Sequence, residues 1–363
     1  METFMKYALI GCGRISPNHI AAALKNELEI VGICDVALEN CEALLSKFEL
    51  VGKIRCYTDY NEMLDAEKPE LVAIATESGY HAKIALECLE KNCNLIIEKP
   101  IALSLADADA IIELAEKKGL KVCACHQNRF NKAVAMTRAQ LEAGRFGRLL
   151  HGTAHILWNR NKGYYDQAPW RGTWAQDGGT LMNQCIHDID LLRWMMGGDV
   201  DEVVAYTDRL NHDYIEAEDL GMALVKFSNG SYGMIEGTAN VFPKNLEETL
   251  YIFGTQGTVK FGGKAVNKID AWAFSDSEEG ESERIIDEFR ETPPNVYGFG
   301  HTPLYADVID SIKNDREVYV TARDGRAALE LVLAIYKSAH EGKAVKLPLE
   351  SASTLDSVGR FDK

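Results

Sequence analysis

Tyr7-Ala8-Leu9-Ile10-Gly11-Cys12-Gly13-Arg14-Ile15-Ser16, near the start of a 363-residue chain, sets a short apolar run directly before two closely spaced glycines. The run reads as a buried strand and the stretch after it as the opening of a helix. In that setting Gly11 permits the tight turn, and Gly13 lets a ligand phosphate approach the backbone. Arg14 and Ile15 stand at the helix N-terminus, whose N–H groups favour an anion such as a pyrophosphate. The third glycine of the dinucleotide pattern is replaced by Ser16, which is still small enough for close helix–strand packing.

Outward from this turn, short apolar runs recur between amphipathic stretches. Strands are expected at Tyr7–Ile10, Ile30–Cys34, Leu71–Ala75, Leu95–Ile97 and Val122–Ala124. Helices are expected between them, including Tyr80–Lys91 and Ala106–Lys118, the latter capped by Ser104 and stopped at Gly119. Near-continuous apolar strands separated by helices imply a parallel sheet covered on both faces. Residues 1–124 are therefore expected to form an α/β, doubly wound domain. Asp35 ends the second of these strands, where a carboxylate accepts from both ribose hydroxyls and repels a 2′-phosphate; NAD is favoured over NADP. Ligands of such sheets lie beyond the carboxyl ends of the strands. That brings Thr76, Glu77, Ser78, His81, Glu98 and Lys99 forward as neighbours of the nicotinamide half. Pro100 adds the expectation of a cis Lys99–Pro100 peptide.

After His126 the texture changes. Leu149–Trp158 alternates polar and apolar residues, and Leu220–Phe227 and Ser231–Thr238 flank Asn229-Gly230, a strong hairpin signal. Leu250–Phe253 and Thr258–Phe261 flank a further glycine-containing turn. Residues 125–363 are expected to form an α+β domain with an open, largely antiparallel sheet. Ala322–His340 reads as a long helix packing back on the first domain, and the acidic run Ser275–Glu291 as a solvated face.

Within this half, Asp177-Gly178-Gly179-Thr180-Leu181-Met182-Asn183-Gln184-Cys185-Ile186-His187-Asp188-Ile189-Asp190 reads as a helix entered through a glycine pair. It aligns Asn183, His187 and Asp190 on one stripe and Leu181, Cys185, Ile189, Leu192 and Met196 on a core face. A histidine beside a flexible turn is a candidate for acid–base chemistry. Asp190 either fixes the tautomer of His187 or meets solvent or Arg193.

The formal net charge of −16 argues against nucleic acid or an anionic membrane as partner. An anionic small ligand stays open, because local Arg and Lys residues outweigh a distant field. The nine cysteines contain no CxxC pair, so reduced thiols rather than a metal site are expected. No apolar run reaches the ~18 residues of a membrane span, and no signal peptide precedes the first strand; the cytoplasm is the expectation.

These pieces resemble the Gfo/Idh/MocA family of oxidoreductases over about Lys6 to Leu349. The carriers are GCGRIS (11–16), EKP (98–100), WRGTW (170–174) and DGGTLMNQCIHDID (177–190). The resemblance implies an N-terminal Rossmann domain holding NAD and a C-terminal domain for substrate binding and homo-oligomerisation, as dimer or tetramer. LWNRNKGYYD (157–166), FPKNLE (242–247), GTQGTVKFGGKAVNKIDAW (254–272) and VYGFGH (296–301) look like the UDP-N-acetylglucosaminuronic acid 3-dehydrogenases. That branch implies oxidation of the sugar C3 hydroxyl of a UDP-sugar, with 2-oxoglutarate reoxidising NADH in some members. Many family members carry Asp four residues before the histidine. Asn183 stands here, and an amide cannot accept the proton, so the catalytic load falls on His187 and Lys99. Gln127, Trp170 and Arg171 join the cofactor candidates. Arg160 or Arg171 is placed to clasp a uronate, and Tyr164, Tyr165, Asn183, Lys244, Asn245, Tyr297 and His301 are candidates for substrate contact. The alternatives are an inositol or free-sugar dehydrogenase, a glycosidase acting through transient C3 oxidation, and a non-catalytic NAD sensor.

Overall fold

A computed structural model of the protein describes residues 4–263, 266–289 and 298–362. The chain divides into two compact units. The first comprises residues up to Ala102 together with Ala106–His126 and His301–Arg326; the second comprises Leu103–Leu105, Gln127–Gly300 and Ala327 onward.

The first unit is built on six parallel strands: β1 (Lys6–Ile10), β2 (Glu29–Cys34), β3 (Arg55–Tyr57), β4 (Leu71–Ile74), β5 (Asn94–Ile97) and β6 (Val122–Ala124). Their order is β3-β2-β1-β4-β5-β6, reversing direction of travel at β1, so that β1 and β4 flank the crevice a dinucleotide occupies in such sheets. Leu71, Val72, Ala73 and Ile74 have no exposed surface, as expected of a strand covered on both faces. The edge strand β3 has no sequence signature: Arg-Cys-Tyr is three residues long and partly exposed. The helix Tyr60–Glu67 follows, N-capped by Asp59, whose side chain accepts from the N–H of Asn61 at 2.7 Å. Helix His301–Lys313, far off in sequence, packs on helix Ser16–Lys25 in this unit, and the Tyr7 and Tyr305 hydroxyls meet at 2.9 Å.

The second unit carries eight strands: β7 (Leu149–Leu157), β8 (Val200–Asp208), β9 (Leu220–Phe227), β10 (Tyr232–Thr238), β11 (Glu247–Gly254), β12 (Gly257–Gly262), β13 (Lys268–Phe274) and β14 (Val345–Lys346). They run β13-β12-β11-β7-β10-β9-β8-β14, antiparallel except for β7 with β10. The Asn229-Gly230 hairpin forms, with Gly230 at φ +82°.

One face of this sheet is covered by residues 181–196, and here the structure departs from a uniform helix. Leu181–Cys185 is a π-helical turn, followed by an α-helix over Ile186–Met196. The five-residue turn sits tightly on the sheet: a Cβ at Gly221 would lie 2.5 Å from Leu181, and one at Gly237 2.7 Å from Cys185 Sγ. Leu181, Cys185, Ile189, Leu192 and Met196 are all fully buried, as the core face requires. Among the described residues no helix is long and apolar enough to cross a membrane.

Candidate active site

The glycine turn of the first unit is shaped for a close ligand. Gly11 takes φ +95°, and a Cβ there would lie 2.5 Å from the Ala75 carbonyl oxygen, so the turn rests on the end of β4. Gly13 has nothing within 4 Å of where its Cβ would be. That leaves bare backbone at a helix N-terminus, which a pyrophosphate fits. Asp35 ends β2 with a fixed carboxylate: Oδ2 accepts from the N–H of Cys12 at 2.9 Å, and Oδ1 from Ala37 N–H and Asn40 Nδ2, both at 3.0 Å. Arg14 is exposed and Ile15 half-buried beside the turn. These residues fit NAD.

The loops after β4 and β5 are laced together by His81, which is buried: Nδ1 lies 2.8 Å from the Pro100 carbonyl and Nε2 3.1 Å from that of Thr76. Burial pushes its pKa down against those carbonyls, and the uncharged ring has one N–H to give, so it donates to one of them at a time. Thr76 and Glu77 are half-buried and Ser78 buried along this edge. Glu98 is buried, Lys99 half-buried, and the Lys99–Pro100 peptide is cis. His301 lies in this same unit, buried with its Nε2 3.4 Å from Glu98 Oε1.

In the second unit, Asn183 and His187 are half-buried positions in an otherwise buried run from Gly178 to Leu192. The Gln127 amide reaches Nε2 of His187 at 3.4 Å, and since that amide nitrogen donates, Nε2 presents a lone pair. Asp177, which the sequence reading passed over, accepts from Gly172 N–H at 2.7 Å and from the side-chain amide of Asn183. A carboxylate only accepts, so one N–H of the Asn183 amide points at Asp177 and fixes the plane of that amide. Asp190 is fully buried and takes a two-pronged ion pair from Arg129, Nε to Oδ2 at 2.7 Å and a terminal nitrogen to Oδ1 at 2.6 Å. Arg129 in turn lies 4.8 Å over the Trp194 ring.

Arg160 and Arg171 come together on Tyr164. Their guanidinium carbons lie 5.0 and 4.4 Å from its ring centre, with Trp158 and Trp170 stacked against them at 4.4 and 4.5 Å. The Tyr164 hydroxyl accepts from Arg171 at 2.6 Å and from Gln184 at 2.9 Å. Among the described residues neither arginine has a carboxylate partner, and the buried Nε of each has no acceptor. Asn245 Oδ1 accepts from Asn159 N–H at 3.0 Å and Arg160 at 3.3 Å; Lys244 beside it is exposed. Tyr165 is buried against the rings of His212 and Tyr214. Tyr297 lies outside the described residues. Trp174 is core: it is 1% exposed and packs on Tyr336 and Phe361.

Comparison with known proteins agrees with this arrangement. Residues 5–126 match the NAD-binding Rossmann fold of the Gfo/Idh/MocA oxidoreductase family, and residues 138–347 match its C-terminal alpha/beta domain. The WlbA dehydrogenase of Bordetella pertussis, solved with NADH and UDP-GlcNAcA, is 36% identical with a TM-score of 0.87, covering 96% of this chain and 99% of that one. The WlbA dehydrogenase of Chromobacterium violaceum, solved with the same two ligands, is 34% identical with a TM-score of 0.86, covering 96% and 98%. The myo-inositol 2-dehydrogenase of Thermotoga maritima is 26% identical over 350 residues, covering 94% of this chain and 98% of its own. With both halves matched in sequence and the cofactor turn formed as the motif requires, the chain belongs to the Gfo/Idh/MocA family as an NAD-dependent oxidoreductase.

Proposed function

We propose that the protein oxidises the C3 hydroxyl of a UDP-linked N-acetylhexosamine carrying a C6 carboxylate, UDP-N-acetylglucosaminuronic acid, to the 3-keto sugar. The observation that carries this reading is the Arg160–Tyr164–Arg171 cluster. Two guanidinium groups without carboxylate partners among the described residues, in a chain of net charge −16, mark a place kept for an anion. The likeness to two dehydrogenases solved with UDP-GlcNAcA supports the same choice.

Bound NAD supplies the acceptor for the hydride of the carbinol carbon. The chain's own task is the proton. His187 takes it from the hydroxyl on Nε2, whose lone pair the Gln127 amide gives up to the incoming hydroxyl. Lys99 stabilises the negative charge developing on the same oxygen. Asn183, one N–H of its amide held by Asp177, orients the sugar. Arg160 and Arg171 clasp the uronate, and Lys244 and Asn245 belong to a segment that carries more of the nucleotide sugar. The first unit, residues 1–124 with the helix His301–Lys313 added, acts as the cofactor domain, and the rest of 125–363 as the substrate and assembly domain.

Assembly is proposed to be a homo-oligomer. Val204, Tyr206, Met222, Leu224 and Met234 project from paired positions on one exposed face of the second unit's sheet, a large apolar patch of the kind that marks a protein interface.

A substrate panel tests the activity: UDP-N-acetylglucosamine with and without the C6 carboxylate, free sugars and inositols, each with and without 2-oxoglutarate. Turnover of the uronate to 3-keto product is expected, lowered about a hundred- to ten-thousandfold in His187→Ala and Lys99→Met. Arg171→Ala is expected to raise KM for the uronate roughly ten- to a hundredfold, since hydrogen bonds to charged groups contribute about 1.5–3 kcal/mol. Turnover confined to inositols or free sugars overturns the nucleotide-sugar assignment and leaves the family membership standing.

A further inference from the structure

Glu98 ends the chain's approach to Lys99 and is 6% exposed. A carboxylate so deeply placed needs donors around it. His19, on the helix that opens at the glycine turn, brings Nε2 to 3.1 Å of Oε1, and His301 brings its own Nε2 to 3.4 Å of the same oxygen. The other oxygen, Oε2, accepts from the backbone N–H of Lys99 at 3.3 Å. Behind this group, His19 Nδ1 meets the Tyr305 hydroxyl at 2.7 Å, and Tyr305 meets Tyr7 at 2.9 Å.

The chemistry orders these protons. Burial would push the Glu98 carboxyl up, but the donors from His19 and His301 hold it well below the usual range. As a carboxylate it only accepts, so both Nε2 atoms carry hydrogen. Nδ1 of His19 then accepts from Tyr305, and Tyr305 accepts from Tyr7. The chain of hydrogen bonds runs one way and ends on Glu98. The ligating atoms of His19, Glu98 and His301 lie within 4.8 Å of one another, but the donors and the acceptor satisfy each other without an ion.

We propose that His19 and His301 are positioning residues for Lys99. They fix the Glu98 carboxylate, which holds the Lys99 N–H and so sets the direction in which the lysine leaves the strand end. The buried negative charge also favours the protonated lysine. This rests on the role given to Lys99 above, and the test separates the two. Steady-state kinetics across pH compare Glu98→Gln, His19→Gln, His301→Gln and Lys99→Met, with Glu98→Gln also combined with Lys99→Met.

Each single positioning variant is expected to lower kcat about ten- to a hundredfold, the scale of a misplaced catalytic group, while KM for NAD stays within about twofold. The lysine-dependent limb of the pH profile is expected to move to lower pH in Glu98→Gln. Glu98→Gln is expected to cost nothing further once Lys99 is Met. An equal loss in both backgrounds overturns the positioning role while leaving Lys99 catalytic. A fall in kcat with an unchanged pH profile and a matching loss of thermal stability also overturns it, as does one divalent ion per chain bound at the cluster. Near-wild-type turnover of Lys99→Met removes the catalytic reading beneath the proposal. His301→Gln carries the comparison if His19→Gln does not fold.

Discussion

Asp35 gathers three donors at the end of β2: the Cys12 and Ala37 N–H groups and the Asn40 amide. The first ties it to the glycine turn, and the other two come from the entry to the next helix. The carboxylate is therefore oriented before any ligand arrives, so little ordering remains to be done on binding. Replacing it by Ser removes an acceptor for ribose hydroxyls and the charge that repels a 2′-phosphate. Asp35→Ser is expected to raise KM for NAD roughly tenfold or more, since a charged hydrogen bond contributes about 1.5–3 kcal/mol, and to narrow the preference for NAD over NADP. Initial rates with both cofactors check this. An unchanged NAD to NADP ratio would show that Asp35 does not meet the ribose.

At the scale of elements, periodic apolar runs made most of the first sheet legible: β1, β2, β4, β5 and β6 fall where their residues alternate with helices. The edge strand β3 was illegible because Arg55-Cys56-Tyr57 has too few apolar residues to form a pattern. The turn at Leu181–Cys185 hides for a different reason. Its residues suit an α-helix equally well, and only the tight contacts of Leu181 and Cys185 with Gly221 and Gly237 select the wider turn. Asp177 and Gln184 lie inside the glycine-led motif, yet its pattern does not name their partners: Gly172 is brought back by a turn five residues before Asp177, and Tyr164 comes from a separate helix. The second sheet shows a related limit. Alternation along β9 exposes Met222 and Leu224, at 47% and 62%, where a solvated face would carry polar residues. Pairing places Leu224 opposite Val204 on one side and Met234 on the other, at the middle of the patch. Leu224→Lys is expected to shift the protein toward monomer in sedimentation equilibrium while leaving its circular dichroism unchanged. An unaltered oligomer would place the interface on another surface.

For the molecule as a whole, buried acids in the second unit set how stability responds to pH. Glu218 is fully buried, and a Cβ on Gly179 would fall within 2 Å of its carboxylate, so the glycine pair entering the His187 segment is packed directly on this acid. Tyr336 has one hydroxyl proton but two acceptors within reach, the Gly178 carbonyl at 2.8 Å and Glu218 Oε1 at 2.9 Å. A protonated Glu218 resolves this: it donates to Tyr336, Tyr336 donates to Gly178, and Oε1 still accepts from Leu181 N–H at 2.7 Å. In agreement, burial pushes Glu218 up to about 8, and burial pushes Asp188, beside Glu248, up to about 7. The folded state therefore binds more protons than the unfolded chain, whose carboxyls titrate at about 4.3. The resulting stability is fully present below that value and is lost as pH rises through about 7 to 8. Asp219 acts in the opposite sense: burial opposes its ionisation, but His212, Asn240 and backbone N–H groups hold its pKa down, so its contribution is lost only in strong acid. Thermal unfolding between pH 5 and 9, at about one-unit steps, should thus show a falling Tm on the alkaline side. Glu218→Gln removes one of the titrating groups but cannot both donate to Tyr336 and accept from Leu181 at the same atom. It is expected to unfold at lower temperature than the unaltered protein near pH 5, by an amount worth about 1 kcal/mol, and to show a shallower decline between pH 5 and about 8. An identical slope in the two proteins would mean that Glu218 is ionised in the folded state, and the proton order through Tyr336 would have to be reversed.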